Sequence, residues 1–546
     1  MAQASSKGEN VVRSAGVVSA AVFLSRITGL VREMIMARLF GAGEAYDAFL
    51  LGFRIPNLTR DLFAEGALSS AFVPVFTQYL TTKGKREAAE LSNLVATALL
   101  IVVGAICVLG IIFSPQLVWL LASGFARVPG KFELAVTLTR VMFPFLLLVA
   151  LSAQAMGILN TLNRFGIPAL SSTFFNLGSV AFGLAFGFTV GRWMGVSLVM
   201  AMAWGVVFGG ALQWMFQVPS LYRLGIHYRP RIDLAHPGLR NILNLMGPAI
   251  LGNAAVQINV LVNTNFAASI TDASGHVING PVSWLSYAFR FMQLPLGLFG
   301  VAIAAATLPA ISRSAALQQM DDFRATLSRS LGMVFLLTIP SSVGLAILGP
   351  SIIGAVYQWG RFHASDTHET AMALSCYALG LAGYAAIKIL APAFYALNDA
   401  RTPMLVSLAS ILINLGVAST LVKVAGLRHL GLALSTSSVA LFGSVVLFVL
   451  LRKRIRRMHG RALAGSVAKI LVASAAMGIA CYVSSRGIHL WLGARKLAQI
   501  ADLAASVPLG AIVYYALCRA MRVSELEAAG RALAGPLMRR LRLRTG

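Results

Sequence analysis

Arg26, Arg32 and Arg38 fall in the first apolar stretch of the sequence, Arg54 and Arg60 in the second, and Arg290 in a later one. A guanidinium stays charged when desolvated and presents a planar fork of donors that matches phosphate or carboxylate oxygens. At a rise of about 1.5 Å per residue, Arg26 sits roughly 18 Å into a helix that starts near residue 14. An arginine at mid-membrane costs about 2.5–3.5 kcal/mol even on a lenient insertion scale, so four facing lipid would cost on the order of 10 kcal/mol. They must face water, acidic partners or a ligand. Glu33 lies seven residues after Arg26 and Asp61 seven after Arg54, so each pair shares a helix face. Asp61 and Glu65 are four apart, and Ser25, Asp47 and Asn57 add polar groups to the same two helices. The arginines outnumber these acids, and Arg290 has none nearby in sequence. A hydrated, net-positive cavity suited to a phosphate is the reading preferred over self-satisfied ion pairs. Arg38 lies near a helix end, where snorkelling suffices. Arg140 and Lys388 fit either reading.

These side chains need a scaffold that holds charge inside a membrane. The chain has 546 residues, 58% hydrophobic and only 12% charged, with a mean hydropathy of +0.77. Apolar runs of about 20 residues recur from end to end, each long enough to cross a hydrocarbon core. The alternating ten-residue strands of an outer-membrane barrel are missing. The expected fold is therefore an all-α polytopic membrane protein with fourteen transmembrane helices. Twelve fall near 14–40, 45–79, 90–114, 133–161, 166–190, 193–222, 238–268, 281–312, 323–348, 367–397, 403–424 and 430–452. Two more fall near 465–485 and 499–521. Gly41, Gly43, Pro115 and the stretch from Gly275 to Pro281 separate elements. Pro56 and Pro295 inside apolar segments permit kinks in cavity-lining helices that move.

Two six-helix repeats are legible. Leu162-Asn163 and Pro168 recur as Leu397-Asn398 and Pro403, 235 positions later, and Asn176-Leu177-Gly178 has its counterpart in Asn414-Leu415-Gly416. Phe53-Arg54 recurs as Phe289-Arg290, 236 positions later. Six is even, so both repeats enter from one side and form parallel lobes with a substrate site between them. This gives a cytoplasmic segment 1–13, an N-lobe 14–222 with helices one to six, a cytoplasmic linker 223–237 and a C-lobe 238–452 with helices seven to twelve. Residues 465–521 form helices thirteen and fourteen, outside the repeat, and 522–546 a basic cytoplasmic tail.

The net charge of +26 lies mostly in short loops, which points to membrane orientation and away from nucleic acid. Lys83, Lys85, Arg86, Arg223, Arg229, Arg231, Arg452, Lys453, Arg454, Arg456 and Arg457 occupy one alternating set. Arg127, Lys131, Arg192, Arg361, Lys423 and Arg428 occupy the sparser set, so both termini are expected in the cytoplasm. The first apolar stretch, interrupted by Arg26 and Arg32, is no cleavable signal peptide. Cys107, Cys376, Cys481 and Cys518 have no metal-ligand spacing and read as buried thiols. The eight histidines do not cluster, and His363 and His368 flank an expected outer loop and read as solvated. No phosphate loop, zinc motif or nucleophile elbow is present, so the reading is a transporter and not an enzyme. Gly205 and Gly209 form a weak helix-dimerisation pattern.

The motifs around these residues resemble the MurJ (MviN) lipid II flippase family of the multidrug/oligosaccharidyl-lipid/polysaccharide exporter superfamily. The resemblance rests on Ser25-Arg26, Gly29 and Arg32, on Phe40-Gly41-Ala42-Gly43 and Asp47-Ala48-Phe49, and on Pro56-Asn57-Leu58, Arg60 and the run from Phe63 to Ala67. Ala71-Phe72-Val73-Pro74, Ser283-Trp284-Leu285, Tyr287, Arg290, Leu308-Pro309 and Leu390-Ala391-Pro392 extend it over twelve helices. It implies movement of an undecaprenyl-diphosphate-linked peptidoglycan precursor between the leaflets of the bacterial inner membrane, by alternating access. It also implies that Arg26, Arg32, Arg60 and Arg290 line the cavity, and that helices thirteen and fourteen form a groove for the lipid tail. Arg54 and Asn57 are expected beside them, with Ser25, Glu33, Asp47, Asp61, Glu65, Pro56 and Pro295 in supporting or gating roles. Phe289 and Gln293 stand beside Arg290 where some relatives carry acids. No cofactor is expected; membrane potential, Na+ or H+ could each supply the coupling, and Asn398 and Asp399 are weak candidates for ion contact beside their reading as a turn. The expected partners are lipid II, membrane lipids and cell-wall synthesis proteins, with the chain a monomer. The alternatives are another exporter of the superfamily, for a polysaccharide-linked lipid or a cationic drug, and a non-transporting scaffold.

Overall fold

The structure is a computed structural model and describes residues 2–60, 68–233, 235–456, 460–493 and 495–527. It is helical, apart from turns and a single β-bridge between Thr271 and Val277 among the described residues. The chain divides into two compact units, Met1–Val282 and Ser283–Gly546. The first contains α1 (Ala2–Phe40), α2 (Glu44–Arg60), α3 (Ser69–Thr82), α4 (Lys85–Ile112), α5 (Ser114–Ala122) and α6 (Lys131–Met142). It continues with α7 (Pro144–Thr161), α8 (Gly166–Phe188), α9 (Val190–Trp193), α10 (Leu198–Met215), α11 (Val218–Arg223) and α12 (Pro237–Ala268). The second contains α13 (Pro281–Pro295), α14 (Ala302–Ala316), α15 (Met320–Tyr357), α16 (Ala364–Ala378), α17 (Leu381–Ala396) and α18 (Arg401–Ser419). It ends with α19 (Arg428–Ile455), α20 (Gly460–Leu492) and α21 (Lys496–Ala520).

Among the described residues, ten helices are long and apolar enough to cross a membrane, or eleven if the bent pair α16–α17 is one span. This is fewer than the fourteen expected. The stretches that fall short are α1 and α12, which are polar, and α2 and α3, which have 17 and 14 residues and are separated by residues outside the described ones. α1 and α2 carry the arginines, and α12 carries Asn253, Gln257, Asn259, Asn263, Thr264 and Asn265. Prolines start elements as well as stop them. Pro115, expected as a breaker, lies in the first turn of α5, where its missing N–H costs nothing. α1 starts at Ala2, so described residues of the expected leading segment belong to this helix.

The repeat is visible in local geometry. Asn163 and Asn398 both adopt left-handed backbone, with φ of 58° and 57°. After Asn163 the Arg164 N–H bonds the Leu159 carbonyl at 2.8 Å, and after Asn398 the Asp399 N–H bonds the Phe394 carbonyl at 2.9 Å. These are the same helix-ending bonds at the same offset, made where Asn tolerates positive φ. The first unit packs Phe72, Phe76, Leu91 and Ile158 in its core; the second packs Phe323, Leu327, Ile389, Phe394 and Leu451. α8 and α10 meet through glycines. A Cβ on Gly205 would stand 2.3 Å from the Ser179 carbonyl, and one on Gly209 2.7 Å from that of Phe175. The Gly205–Gly209 pattern therefore serves contact within the first unit.

Candidate functional site

α1 presents its arginines to different surroundings. Arg26 is exposed and has no hydrogen-bond or ion-pair partner among the described residues, whereas Glu33 is buried. The shared face read from their spacing does not make them a pair. Arg32 is half-buried, its guanidinium carbon 5.3 Å from the Phe175 ring centre of α8 and 5.8 Å from that of Phe53 on α2. Aromatic faces attract a cation without neutralising it. Asn176 of α8 donates to the Ser25 carbonyl at 3.2 Å, which holds α1 beside α8. Ser25 thus contributes through its backbone. Arg38 is exposed on the last turn, in keeping with an interfacial role.

α2 carries the next group. Arg54 donates to the buried Thr264 hydroxyl of α12 at 2.6 Å, so the seventh of the expected helices, none of whose residues had been singled out for the site, supplies part of its setting. The signal was present in the run of amides along α12. Arg60 ends α2 and is half-buried, and Pro56 lies inside the helix. Asn57 keeps a buried Oδ1 with no hydrogen-bond partner among the described residues. Asp61 and Glu65 lie outside the described residues.

Asp47 sits in the first turn of α2 and is buried. Its Oδ2 accepts from Lys131 Nζ at 3.0 Å and from the Gly280 N–H at 2.9 Å; Lys131 also donates to Asn279 Oδ1 at 2.7 Å. Lys131 is fully buried, 4.2 Å from the Phe125 ring centre. The expectation that Lys131 is a loop charge is thereby corrected. It starts α6, and the acid it needs comes from a distant helix that its own sequence context does not reveal. The second unit repeats the theme: Asp366 in the first turn of α16, 235 positions after Lys131, accepts from Trp284 Nε1 at 3.0 Å near the start of α13.

In the second unit Arg290 is half-buried on α13, and the neighbouring Phe289 packs edge-on against Tyr377 at 5.3 Å. Pro295 closes α13, and the turn that follows, Leu296–Val301, is π-helical. Proline removes a backbone donor, and the widened turn absorbs the break, a distortion frequent at functional sites. Asn398 and Asp399 form the turn already described. Asp399 accepts from the Thr402 N–H at 3.0 Å and the Thr402 hydroxyl at 2.8 Å, and Arg454 pairs with it. The Thr402 N–H, then its hydroxyl, hold this carboxyl below its ordinary range, with Arg454 adding to the effect. Cys107, Cys481 and Cys518 are buried and Cys376 half-buried, all as free thiols, and His363 and His368 are exposed.

The family model for lipid II flippase MurJ matches residues 36–499. A relative named lipid II flippase MurJ in Burkholderia cenocepacia is 36% identical over 82% of this chain and 84% of its own length. The chain belongs to the lipid II flippase MurJ family. A solved MurJ in an inward closed conformation has the same fold, with a TM-score of 0.74 and 24% identity over 92% of this chain and 99% of that one. A multidrug MATE transporter of the MOP superfamily, in an inward-facing conformation, matches with a TM-score of 0.66 at 15% identity, covering 81% and 98%. The MurJ family and the apolar helices together make this a multi-pass membrane protein of the transporter class.

Proposed function

We propose that this chain translocates lipid II, the undecaprenyl-diphosphate-linked peptidoglycan precursor, from the inner to the outer leaflet of the bacterial inner membrane. One observation carries the reading at the level of residues. Arg26, within a helix of membrane-spanning length, is exposed and has no partner among the described residues, with Arg32 two turns away held by aromatic rings. A charge placed so is expensive unless an anion visits it. Arg26, Arg32, Arg54 and Arg60 with Asn57 in the first unit, and Arg290 in the second, are the residues proposed to contact the substrate, and a diphosphate is the group such guanidinium groups recognise. Alternating exposure of this set to the two sides requires that lipid II bind the two states with different affinity. A site built on arginine disfavours the cationic drugs of a drug exporter, and a scaffold would tolerate loss of these charges. The test is Arg26→Ala in cells that carry no other copy. The variant inserts normally, and lipid II accumulates in the inner leaflet while the outer leaflet is depleted. Normal outer-leaflet lipid II in those cells rules the proposal out.

A further inference from the structure

Lys388 of α17 is a charge inside the second unit that the site above leaves unused. α16 and α17 form a pair bent by 42°, apolar enough together to cross a membrane. Lys388 interrupts its apolar run. Nine uncharged residues, Ile389 to Leu397, separate it from the polar turn at Asn398, roughly 13 Å of helix. That is further than its four-carbon stem can span by snorkelling. Lys388 is exposed and has no hydrogen-bond or ion-pair partner among the described residues.

Its surroundings differ from those of a lipid-facing position. Within α17 the exposed residues are Lys388 and Tyr395, seven apart and so on one helix face. Ala386, Leu390 and Ala393, on the other side, are packed in the core of the unit. α18, by contrast, exposes Leu405, Leu408 and Leu412, as a helix turned to lipid does. A helix that exposes a lysine and a tyrosine in place of aliphatic side chains is turned to water. Pro392 adds a second polar group at the same residue. It lacks the N–H that would bond the Lys388 carbonyl, so that oxygen loses its helix partner. Lys388 thus offers a charged ammonium with three donors and a carbonyl acceptor. Phosphate oxygens suit the first and sugar hydroxyls the second.

α13 fixes the level of Lys388 relative to Arg290. Phe289 packs on Tyr377 of α16, and a Cβ on Gly300, in the π-helical turn after α13, would stand 3.3 Å from the Ala385 Cβ of α17. The two segments therefore run side by side in the same direction. Lys388 lies about ten residues beyond the level of Arg290, roughly 15 Å nearer the Asn398 turn. By the loop charges that turn is at the cytoplasmic end, where the diphosphate of an inner-leaflet lipid starts. We propose that Lys388 is an entry contact for the lipid-linked diphosphate. Its ammonium takes the anion, and its freed carbonyl takes a hydroxyl of the attached sugar, before the headgroup reaches Arg290. Lipid II as the substrate is carried over from the function proposed above.

The experiment uses the full-length protein in lipid nanodiscs with the four native cysteines replaced, and undecaprenyl diphosphate and lipid II as binding probes. Lys388→Cys is expected to react with water-soluble methanethiosulfonates, and Leu412→Cys on the lipid-facing side of α18 is not. Lys388→Cys is expected to bind both probes about tenfold more weakly than the parent, as for the loss of one charge-assisted hydrogen bond. Aminoethyl modification of that thiol restores the positive charge and should recover most of the affinity, whereas sulfonatoethyl modification should lower it further. A lysine that only fills space predicts no dependence on the charge of the adduct. Should Lys388→Cys not insert, Lys388→Gln is expected to show the same loss, with Lys388→Arg close to the parent. An unreactive thiol, or parental affinity in Lys388→Cys or Lys388→Gln, overturns the entry contact. Loss of binding in Arg26→Ala with full binding in Lys388→Cys removes the entry contact alone. A parent that binds neither probe removes the substrate assignment together with it.

Discussion

Lys131 shows how a residue's role can hide from its own neighbourhood. In sequence it follows a Pro-Gly turn and reads as solvated, yet it is fully buried against Asp47, 84 positions away. Removing one member of a buried pair strands the other charge. Lys131→Met is therefore expected to destabilise the protein by about 3–5 kcal/mol, and Asp47→Asn added to it to recover part of the loss. Thermal unfolding in detergent reads both, and a double variant no better than the single rejects the pairing account. Asp399 offers a milder case. Its carboxyl is depressed in the folded chain, so its bonds to Thr402 contribute stability above the ordinary carboxylate pKa and lose it as pH falls through the folded value. The protection of the Thr402 amide hydrogen, measured against its intrinsic exchange rate at each pH, should fall on acidification in the parent but not in Asp399→Asn. The arginines, in contrast, were legible directly, because their cost in lipid is a property of the side chain itself. Their partners were not: Thr264 and Phe175 come from helices brought alongside only by folding.

At the scale of elements, the turns closing α7 and α17 were readable because a left-handed residue demands Asn or Gly in both copies. Replacing Asn398 with Gly should leave thermal stability close to that of the parent, whereas Asn398→Val should cost about 1–2 kcal/mol from Cβ strain at positive φ. Equal effects of the two substitutions reject a conformational role for Asn398. The Gly205–Gly209 pattern was visible too, but a short sequence cannot say whether a small-residue face meets its own chain or another copy. The closeness of α8 settles where Gly205 is spent within the first unit. Gly205→Ala is expected to destabilise by about 1–3 kcal/mol through overpacking and to leave the oligomeric state unchanged. A change of oligomeric state in light scattering, with stability intact, contradicts this.

For the molecule as a whole, helix composition decides how the chain threads the membrane, and α12 is the informative case. Hydropathy alone passes over it, yet its 32 residues rise about 48 Å, well beyond a hydrocarbon core of about 30 Å. Two of its polar side chains have protein partners: the Thr264 hydroxyl meets Arg54, and Asn265 donates to the Leu120 carbonyl at 2.9 Å, while Leu243, Leu245, Val256 and Ile258 are exposed. A helix with satisfied polar groups on one side and apolar groups on the other can cross a membrane beside its own protein. The burial of Lys131 also removes a cation from the sparser loop set, which strengthens the asymmetry that orients the chain. α12 should therefore carry the chain from a cytoplasmic linker at Arg229 to an outer loop at Ser274. In a background with the four native cysteines replaced, Ser274→Cys should react with an impermeant maleimide on intact spheroplasts. Arg229→Cys should react only after the membrane is opened. Labelling of both from the same side means that α12 does not cross, and it would overturn the assignment of both termini to the cytoplasm.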